Sequence, residues 1–287
     1  MPQSPSHPIR SRLAPTPSGY LHLGNALNFL LTWLLTRRAG GTLTLRIDDA
    51  DRGRCRPEFI ADIFHQLEWL GLEWEEGPTG PDDFTAHHSQ LKRLERYRHF
   101  LELLRAKELL FACTCSRQDI RAASHNGLYP GTCRFRQQAP AVLHTWRISS
   151  STDMGDFVLW RRDGLPAYQL ASLVDDLDHR INLIVRGDDL FSSSAAQLYL
   201  AARLGPAGSA FSRVTFHHHP LCLATDGRKL AKSDQALSLA AMRQQGVEPA
   251  AIYRRAAAFL GLPQQDIGSL PELLQAFQST PNDQESP

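Results

Sequence analysis

The sequence predicts an α/β fold built on a parallel sheet, and three observations carry that prediction. Segments of strand length alternate with amphipathic segments of helix length through the first part of the chain. Glycine and proline mark the joints between them. The resulting strand–helix–strand order is that of right-handed βαβ units. The composition, 42% hydrophobic and 21% charged over 287 residues, supplies a sizeable core for one large domain or two modest ones.

The elements follow in order. Ser11 to Ala14 reads as a short strand, and Pro15-Thr16-Pro17-Ser18-Gly19 as the loop after it. Leu27, Leu30, Leu31, Leu34 and Leu35 recur at helical spacing between Asn25 and Ala39, and Gly40-Gly41 stops that helix. Thr42 to Ile47 alternates as a strand does. Pro57 to Leu70 and Gln90 to Leu110 read as further amphipathic helices. From Phe111 to about Leu165 the rhythm breaks into Cys-, Gly- and Pro-rich pieces, which read as an inserted subdomain. The pattern resumes at Pro166. Tyr168 to Val174, Asn182 to Val185 and Val214 to His217 are strands or buried helices, which periodicity alone does not separate. Arg243 to Gly261 reads as helical with a break at Gly246 and Pro249. The expected layout is therefore 9–110 and 166–240 as two halves of one α/β domain, 111–165 as the insert, 241–278 as a C-terminal helical segment, and 1–8 and 279–287 as disordered tails.

No apolar run approaches the roughly 20 residues a membrane-crossing helix needs. The stretch from Met1 to Pro8 lacks the basic-then-apolar pattern of a signal peptide. The expectation is a soluble, cytoplasmic protein with no membrane partner. A net charge of +1 neither selects nor excludes a nucleic acid. Arg134/Arg136 and Arg161/Arg162 are local patches that suit a phosphate backbone. Five cysteines, an odd number, argue against a disulfide framework.

Three motifs bear on chemistry. The run Pro15 to Asn25, with His22-Leu23-Gly24-Asn25 at its end, joins a strand to a helix. Such a junction leaves backbone N–H groups at the positive end of a helix, where phosphate binds. Gly24 would let a nucleotide approach the backbone, and His22 could donate to a phosphate oxygen. Taken alone, the run also reads as a structural turn. It is not a P-loop, because no Gly-x-x-x-x-Gly-Lys-Ser/Thr run occurs. The second motif, Lys229-Leu230-Ala231-Lys232-Ser233, places two lysines three apart after a turn-rich loop, where they could straddle a triphosphate. The third is Cys113-x-Cys115 with Cys133, three thiols in a loop-rich insert that fit a tetrahedral zinc site. His125 is a candidate fourth ligand on general grounds. His217-His218-His219 suggests a metal site, but alternate strand residues point to opposite faces, so the three do not converge on one ion.

Together the first two motifs resemble the "HIGH" and "KMSKS" boxes of class I aminoacyl-tRNA synthetases, with Asn25 in place of the final histidine. The flanks resemble glutamyl-tRNA synthetases: Arg12 to Gly19, Leu45-Arg46-Ile47-Asp48-Asp49-Ala50-Asp51, Leu165 to Ala171, Val174-Asp175-Asp176, and Val185 to Leu190. The resemblance runs from about Arg12 to Ser233. It implies a Rossmann-like catalytic domain that activates L-glutamate with ATP and Mg²⁺. It further implies that His22, Gly24, Asn25, Lys229, Lys232 and Ser233 bind ATP, with His22, Lys229 and Lys232 catalytic. Arg12, Leu13, Ala14, Pro15, Thr16, Asp48, Tyr168 and Arg186 would hold the glutamate. An arginine fork suits a side-chain carboxylate, and Asp48, where the family usually has glutamate, would take the α-ammonium one methylene short.

The insert resembles that of a shortened paralogue family, the glutamyl-queuosine tRNA(Asp) synthetases, in which a tyrosine fills the fourth metal position, here Tyr129. Only the residues up to Pro287 follow Ser233, and the resemblance implies a chain without the anticodon-binding domains of a full-length glutamyl enzyme, as in that paralogue. The resemblance implies transfer of glutamate to the queuosine base in the anticodon of tRNA(Asp), not to the 3′ end, with a structural Zn²⁺ in the insert. The alternatives are ordinary charging of tRNA(Glu), a small-molecule nucleotidyltransferase, and a non-catalytic tRNA-binding paralogue, which only Asn25 and Asp48 favour.

Overall fold

The computed structural model describes residues 8–124, 128–135, 143–150, 154–221 and 238–280. Lys229, Lys232, Ser233, His125 and Arg136, together with the terminal segments 1–7 and 281–287, lie outside the described residues. The chain divides into two compact units, one of residues 1–88, 181–189 and 215–287, the other of residues 89–180 and 190–214.

The first unit holds parallel strands. Strand β1 (Arg10–Leu13) pairs with β2 (Thr42–Leu45) in parallel, Arg10 opposite Thr42 and Leu13 opposite Leu45, and helix α1 (Leu23–Arg38) makes the crossover. On the other side of β1 lies β6 (Leu183–Gly187), which pairs in parallel with β7 (Thr215–His219). Side chains carry part of the β1–β6 join: Arg10 N–H donates to Asn182 Oδ1, and the Ser11 hydroxyl donates to the Leu183 carbonyl at 2.9 Å. Asn182 N–H returns a bond to the Arg10 carbonyl. The spatial order is therefore β2-β1-β6-β7.

Helix α1 runs through the core, burying Ala26, Leu27, Phe29, Leu30, Leu31 and Leu34. Its two buried threonines are satisfied locally, Thr32 and Thr36 each donating to the carbonyl four residues back. Helix α2 (Pro57–Trp69) starts on a proline, as an N1 position tolerates, and packs Ile63 and Leu67 inward. A short helix α3 (Pro81–Asp83) leads into a single π turn, Phe84–His88. After β7 come the C-terminal helices α8 (Leu239–Gln244), α9 (Pro249–Phe259) and α10 (Leu270–Gln278), of which α9 and α10 pack on α1. The break at Gly246 and Pro249 falls where the sequence places it.

The second unit contains helix α4 (Leu94–Arg105) and an antiparallel sheet of β3 (Leu110–Cys113), β4 (Thr145–Ile148) and β5 (Phe157–Trp160), with α5 (Arg117–Ala123) between β3 and β4. Helices α6 (Tyr168–Asp178) and α7 (Phe191–Leu204) complete it. The fully buried Asp175 carboxylate is balanced by Arg93 Nε at 2.9 Å, Gln90 Nε2 at 2.8 Å and the Tyr97 hydroxyl at 2.9 Å, which ties α4 to α6.

One sequence expectation is corrected here. The helix expected over Gln90 to Leu110 is a 3₁₀ turn (Gln90–Arg93), then α4, then a turn into β3, so Leu110 belongs to a strand. The segment from Tyr168, which the sequence leaves open between strand and buried helix, is a helix. No helix among the described residues is long and apolar enough to cross a membrane.

Candidate active site

The parallel strands deliver most of the expected residues to one end of the sheet, as ligand sites of open α/β sheets require. Pairing of β1 with β2 continues past both strands: Arg46 N–H donates to the Leu13 carbonyl and Asp48 N–H to the Pro15 carbonyl, each at 2.9 Å. Ala14, Pro15 and Thr16 therefore run beside Ile47 and Asp48. Arg12 and Leu13 are buried in β1, and Arg186 is buried near the end of β6, its guanidinium 5.5 Å from the Phe216 ring centre.

Asp48 is not a bare strand-end carboxylate. Arg46 grips both its oxygens, Nε to Oδ1 at 2.6 Å and Nη2 to Oδ2 at 3.1 Å, with both side chains buried. Residues two apart on an extended strand share a face, so the pairing follows from the local sequence. The Arg46-x-Asp48 spacing is the one sequence signal for this pair, and the family resemblance assigns Arg46 no role.

His22 is the N-cap of α1, in extended conformation. The Asn25 side-chain oxygen accepts the His22 backbone N–H at 3.0 Å, the return half of a capping box. Asn25 thus braces the motif that precedes it. Because α1 starts at Leu23, Gly24 lies in the first helical turn and not in a loop, and the positive helix end falls at His22 to Asn25. Leu21 N–H donates to the buried Asp62 of α2. Burial pushes the Asp62 carboxyl upward from its ordinary value, against the hydrogen bonds from Gln66 and Leu21 that pull it down.

The lysine motif itself is outside the described residues, but the chain returning from it is not. Ser238 forms an antiparallel bridge with His22, and Leu239 N–H donates to the Leu21 carbonyl at 2.7 Å. The histidine motif is therefore joined directly to Ser238 and Leu239, the first described residues after the lysine motif. Tyr168, the first residue of α6 and 41% exposed, belongs to the second unit.

In the insert, the sulfurs of Cys113, Cys115 and Cys133 all lie within 4.8 Å of one another, with Cys115 and Cys133 3.5 Å apart. The Tyr129 oxygen lies 3.4 Å from the Cys113 sulfur and 3.9 Å from that of Cys115, and it accepts the Cys133 N–H at 2.8 Å. Tyr129 stacks on Phe111, and the Arg147 guanidinium sits 4.1 Å from its ring centre. Burial pushes the Cys115 thiol up to about 11, with Cys133 adding to the rise. Cys133 is also raised by burial, but hydrogen bonds from Tyr129, the Thr114 backbone and the other thiols outweigh it and bring the thiol down to about 7. A tetrahedral zinc with bonds of about 2.3 Å needs sulfurs roughly 3.8 Å apart, so the donor set fits such an ion. Among the described residues this is the one grouping with metal-ligand spacing. The three histidines occupy successive positions of β7 and do not form another.

Comparison with known proteins agrees with this layout. Residues 8–146 and 130–285 match the family described as tRNA synthetases class I (E and Q), catalytic domain. The chain is 38% identical to the glutamyl-Q tRNA(Asp) synthetase of Symbiobacterium thermophilum, covering 92% of this chain and 90% of the relative. It is 37% identical to the protein of the same name from Nitratidesulfovibrio vulgaris, over 88% and 87%. A glutamate–tRNA ligase from Anaeromyxobacter sp. is 36% identical over 85% of this chain, which spans only 56% of that relative. The crystal structure of glutamate-tRNA synthetase from Elizabethkingia anophelis superposes with a TM-score of 0.74 at 24% identity, covering 95% of this chain and 66% of that one, which shows the fold. On the family match and these relatives, the chain belongs to the class I tRNA synthetases of the glutamate and glutamine (E and Q) group.

Proposed function

We propose that this enzyme activates glutamate with ATP and transfers it to the queuosine base in the anticodon of tRNA(Asp). The observation that carries the adenylation step is the joining of His22 at the N-cap of α1 to Ser238, beside the strand ends that bear Arg12, Asp48 and Arg186. In this reading, the N-terminus of α1 and His22 cradle the ATP phosphates, and Lys229 and Lys232 neutralise charge as pyrophosphate leaves. Gly24 gives close backbone approach, while Asn25 and Ser233 complete the nucleotide site. Mg²⁺ supplies charge neutralisation when bound with the nucleotide. Arg186 and Tyr168 hold the glutamate side chain, Asp48 takes its α-ammonium, and Arg12, Leu13, Ala14, Pro15 and Thr16 line the amino acid. The α-carboxylate attacks the α-phosphorus, giving glutamyl-adenylate and pyrophosphate. A hydroxyl of the queuosine cyclopentene ring then attacks the activated carbonyl and releases AMP.

Acceptor choice rests on relatives of similar length that carry the glutamyl-Q name. Cys113, Cys115, Tyr129 and Cys133 would hold a structural Zn²⁺, which orders the insert and takes no part in the chemistry. Glutamate-dependent ATP–pyrophosphate exchange, with and without tRNA, tests the first step. Radiolabelled glutamate with queuosine-containing tRNA(Asp) and with unmodified tRNA(Glu) tests the second. Exchange without tRNA and label only on the queuosine tRNA is the expected result. Label on the 3′ end of tRNA(Glu) would replace the acceptor, and absence of exchange would overturn adenylation.

A further inference from the structure

We infer that His219 and Asn28 form a positioning pair that fixes the phosphate-binding end of α1 against the strand ends carrying the amino-acid site. The inference rests on the adenylation reading above and adds to it two residues that make no contact with substrate in that reading. Asn28 lies on α1, in the turn after Asn25. His219 is the last residue of β7, opposite Gly187 and next in register to the Arg186–His218 pair. The two side chains meet with Asn28 Nδ2 2.9 Å from His219 Nε2. The other ring nitrogen, Nδ1, lies 2.8 Å from the Pro220 carbonyl.

These contacts fix the chemistry of the ring. A carbonyl oxygen only accepts, so Nδ1 carries the proton. Nε2 then accepts from the Asn28 amide, which is the arrangement of the Nδ1–H tautomer. The ring is 7% exposed and is held from the sides as well. Phe259 of α9 meets it edge to face at 5.5 Å, and a Cβ on Gly187 would come to 3.8 Å from its Cε1. One bond therefore reaches α1, while the other shapes the first peptide after β7, through which the chain leaves toward Lys229 and Lys232. The bridge between Ser238 and His22 ties the same end of α1 to the returning chain. Helix and sheet are thus registered on both sides of His22.

Each substrate keeps its own contacts if this pair is broken, so the expected defect lies in the mutual placement of carboxylate and α-phosphate. A misplacement of about 1 Å costs on the order of 100-fold in rate. Asn28→Ala should lower kcat for exchange by about 10- to 100-fold and leave KM for ATP and for glutamate within about 3-fold. His219→Gln places an amide oxygen where Nε2 was and should retain most of kcat. His219→Asn keeps a donor for Pro220 but is too short to reach Asn28, and should fall with Asn28→Ala. The double variant Asn28→Ala/His219→Asn should be no worse than either single one, because both remove the same bond. Side-chain ¹⁵N NMR of the free wild-type enzyme should show His219 in the Nδ1–H form.

Variants with wild-type kcat, losses that multiply in the double variant, or a kcat that tracks only the thermal midpoint would each overturn the pair's role. An Nε2–H tautomer would overturn it whatever the kinetics. A wild-type enzyme silent in exchange would instead sink the adenylation reading, and the positioning role with it.

Discussion

The Arg46–Asp48 pair sets the residue-scale expectations. Both groups are buried, so removing one leaves the other desolvated without its main counter-charge. Arg46→Met should destabilise the protein by about 3–5 kcal/mol. Arg46→Met/Asp48→Leu, which removes both charges at similar volume, should recover most of that loss in urea midpoint while abolishing glutamate-dependent exchange. Equal losses for the single and double variants would mean the pair is not the source of the stability. Asp62 behaves oppositely, because its native carboxyl is shifted upward by burial. Above its ordinary value of 3.8, the folded state holds a proton that the unfolded chain has released, so stability falls as pH rises through that window. Asp62→Asn keeps an acceptor for Leu21 N–H and should flatten this limb, gaining on the wild type in urea titrations as pH rises above 3.8. An unchanged limb would locate the titration elsewhere. These residues also mark how far the sequence could be read. Arg12, His22, Asp48 and Arg186 stand out through ordered motifs. Asn28 and His219 meet across 191 residues, and neither Asn28 nor the histidine run that includes His219 signals that pairing.

Helix ends explain which elements were legible. Helices α1, α2, α7, α8 and α9 are each followed by a glycine at positive φ, namely Gly40, Gly71, Gly205, Gly246 and Gly261. Helices α4 and α6 are followed instead by non-glycine residues in the left-handed region, Glu108 at φ 56° and Arg180 at φ 55°. At α4 the apolar spacing runs on into Leu109, Leu110 and Phe111, so the sequence extends the helix past its true end. Leu109 N–H bonding to the Leu104 carbonyl, a Schellman-type closure, is visible only in the fold. At α6 the mixed segment Tyr168 to Val174 is short and no glycine marks its end, so periodicity alone does not separate helix from strand. A non-glycine residue in the left-handed region costs about 1–2 kcal/mol, of which glycine's larger unfolded-state entropy takes back roughly 0.5–1 kcal/mol. Glu108→Gly and Arg180→Gly should each stabilise by about 0.5–1 kcal/mol, raising the thermal midpoint by about 2 °C. A lowered midpoint would show that these side chains contribute contacts that outweigh the backbone strain.

At the scale of the whole molecule, the two units differ in what holds them together. The first has a continuous core in which α1, the parallel strands and the C-terminal helices share apolar contacts from Leu13 to Phe277. Its elements were legible because periodicity reports burial in such a core. The insert offers no comparable pattern, and its antiparallel β3–β4–β5 sheet was not foreseen. Its local cluster consists of Phe111, Cys113, Tyr129 and Cys133, with Cys115 and Ile120 packed against it, so four of its six members are the proposed zinc donors. Without an ion, those donors give the cluster little apolar area to bury, so under the proposed zinc reading local ordering depends on metal binding. Purified enzyme should hold about one zinc per chain by elemental analysis. Chelation should speed amide hydrogen exchange in Leu110–Cys113 and Arg117–Ala123 by several orders of magnitude, while Arg10–Leu13 and Thr42–Leu45 stay protected. Cys133→Ser should reproduce this pattern without chelator. Absence of zinc in a protein that is nonetheless protected throughout the insert would show that the thiols and Tyr129 hold this region through their own hydrogen bonds, and the metal would drop out of the account of how the insert folds.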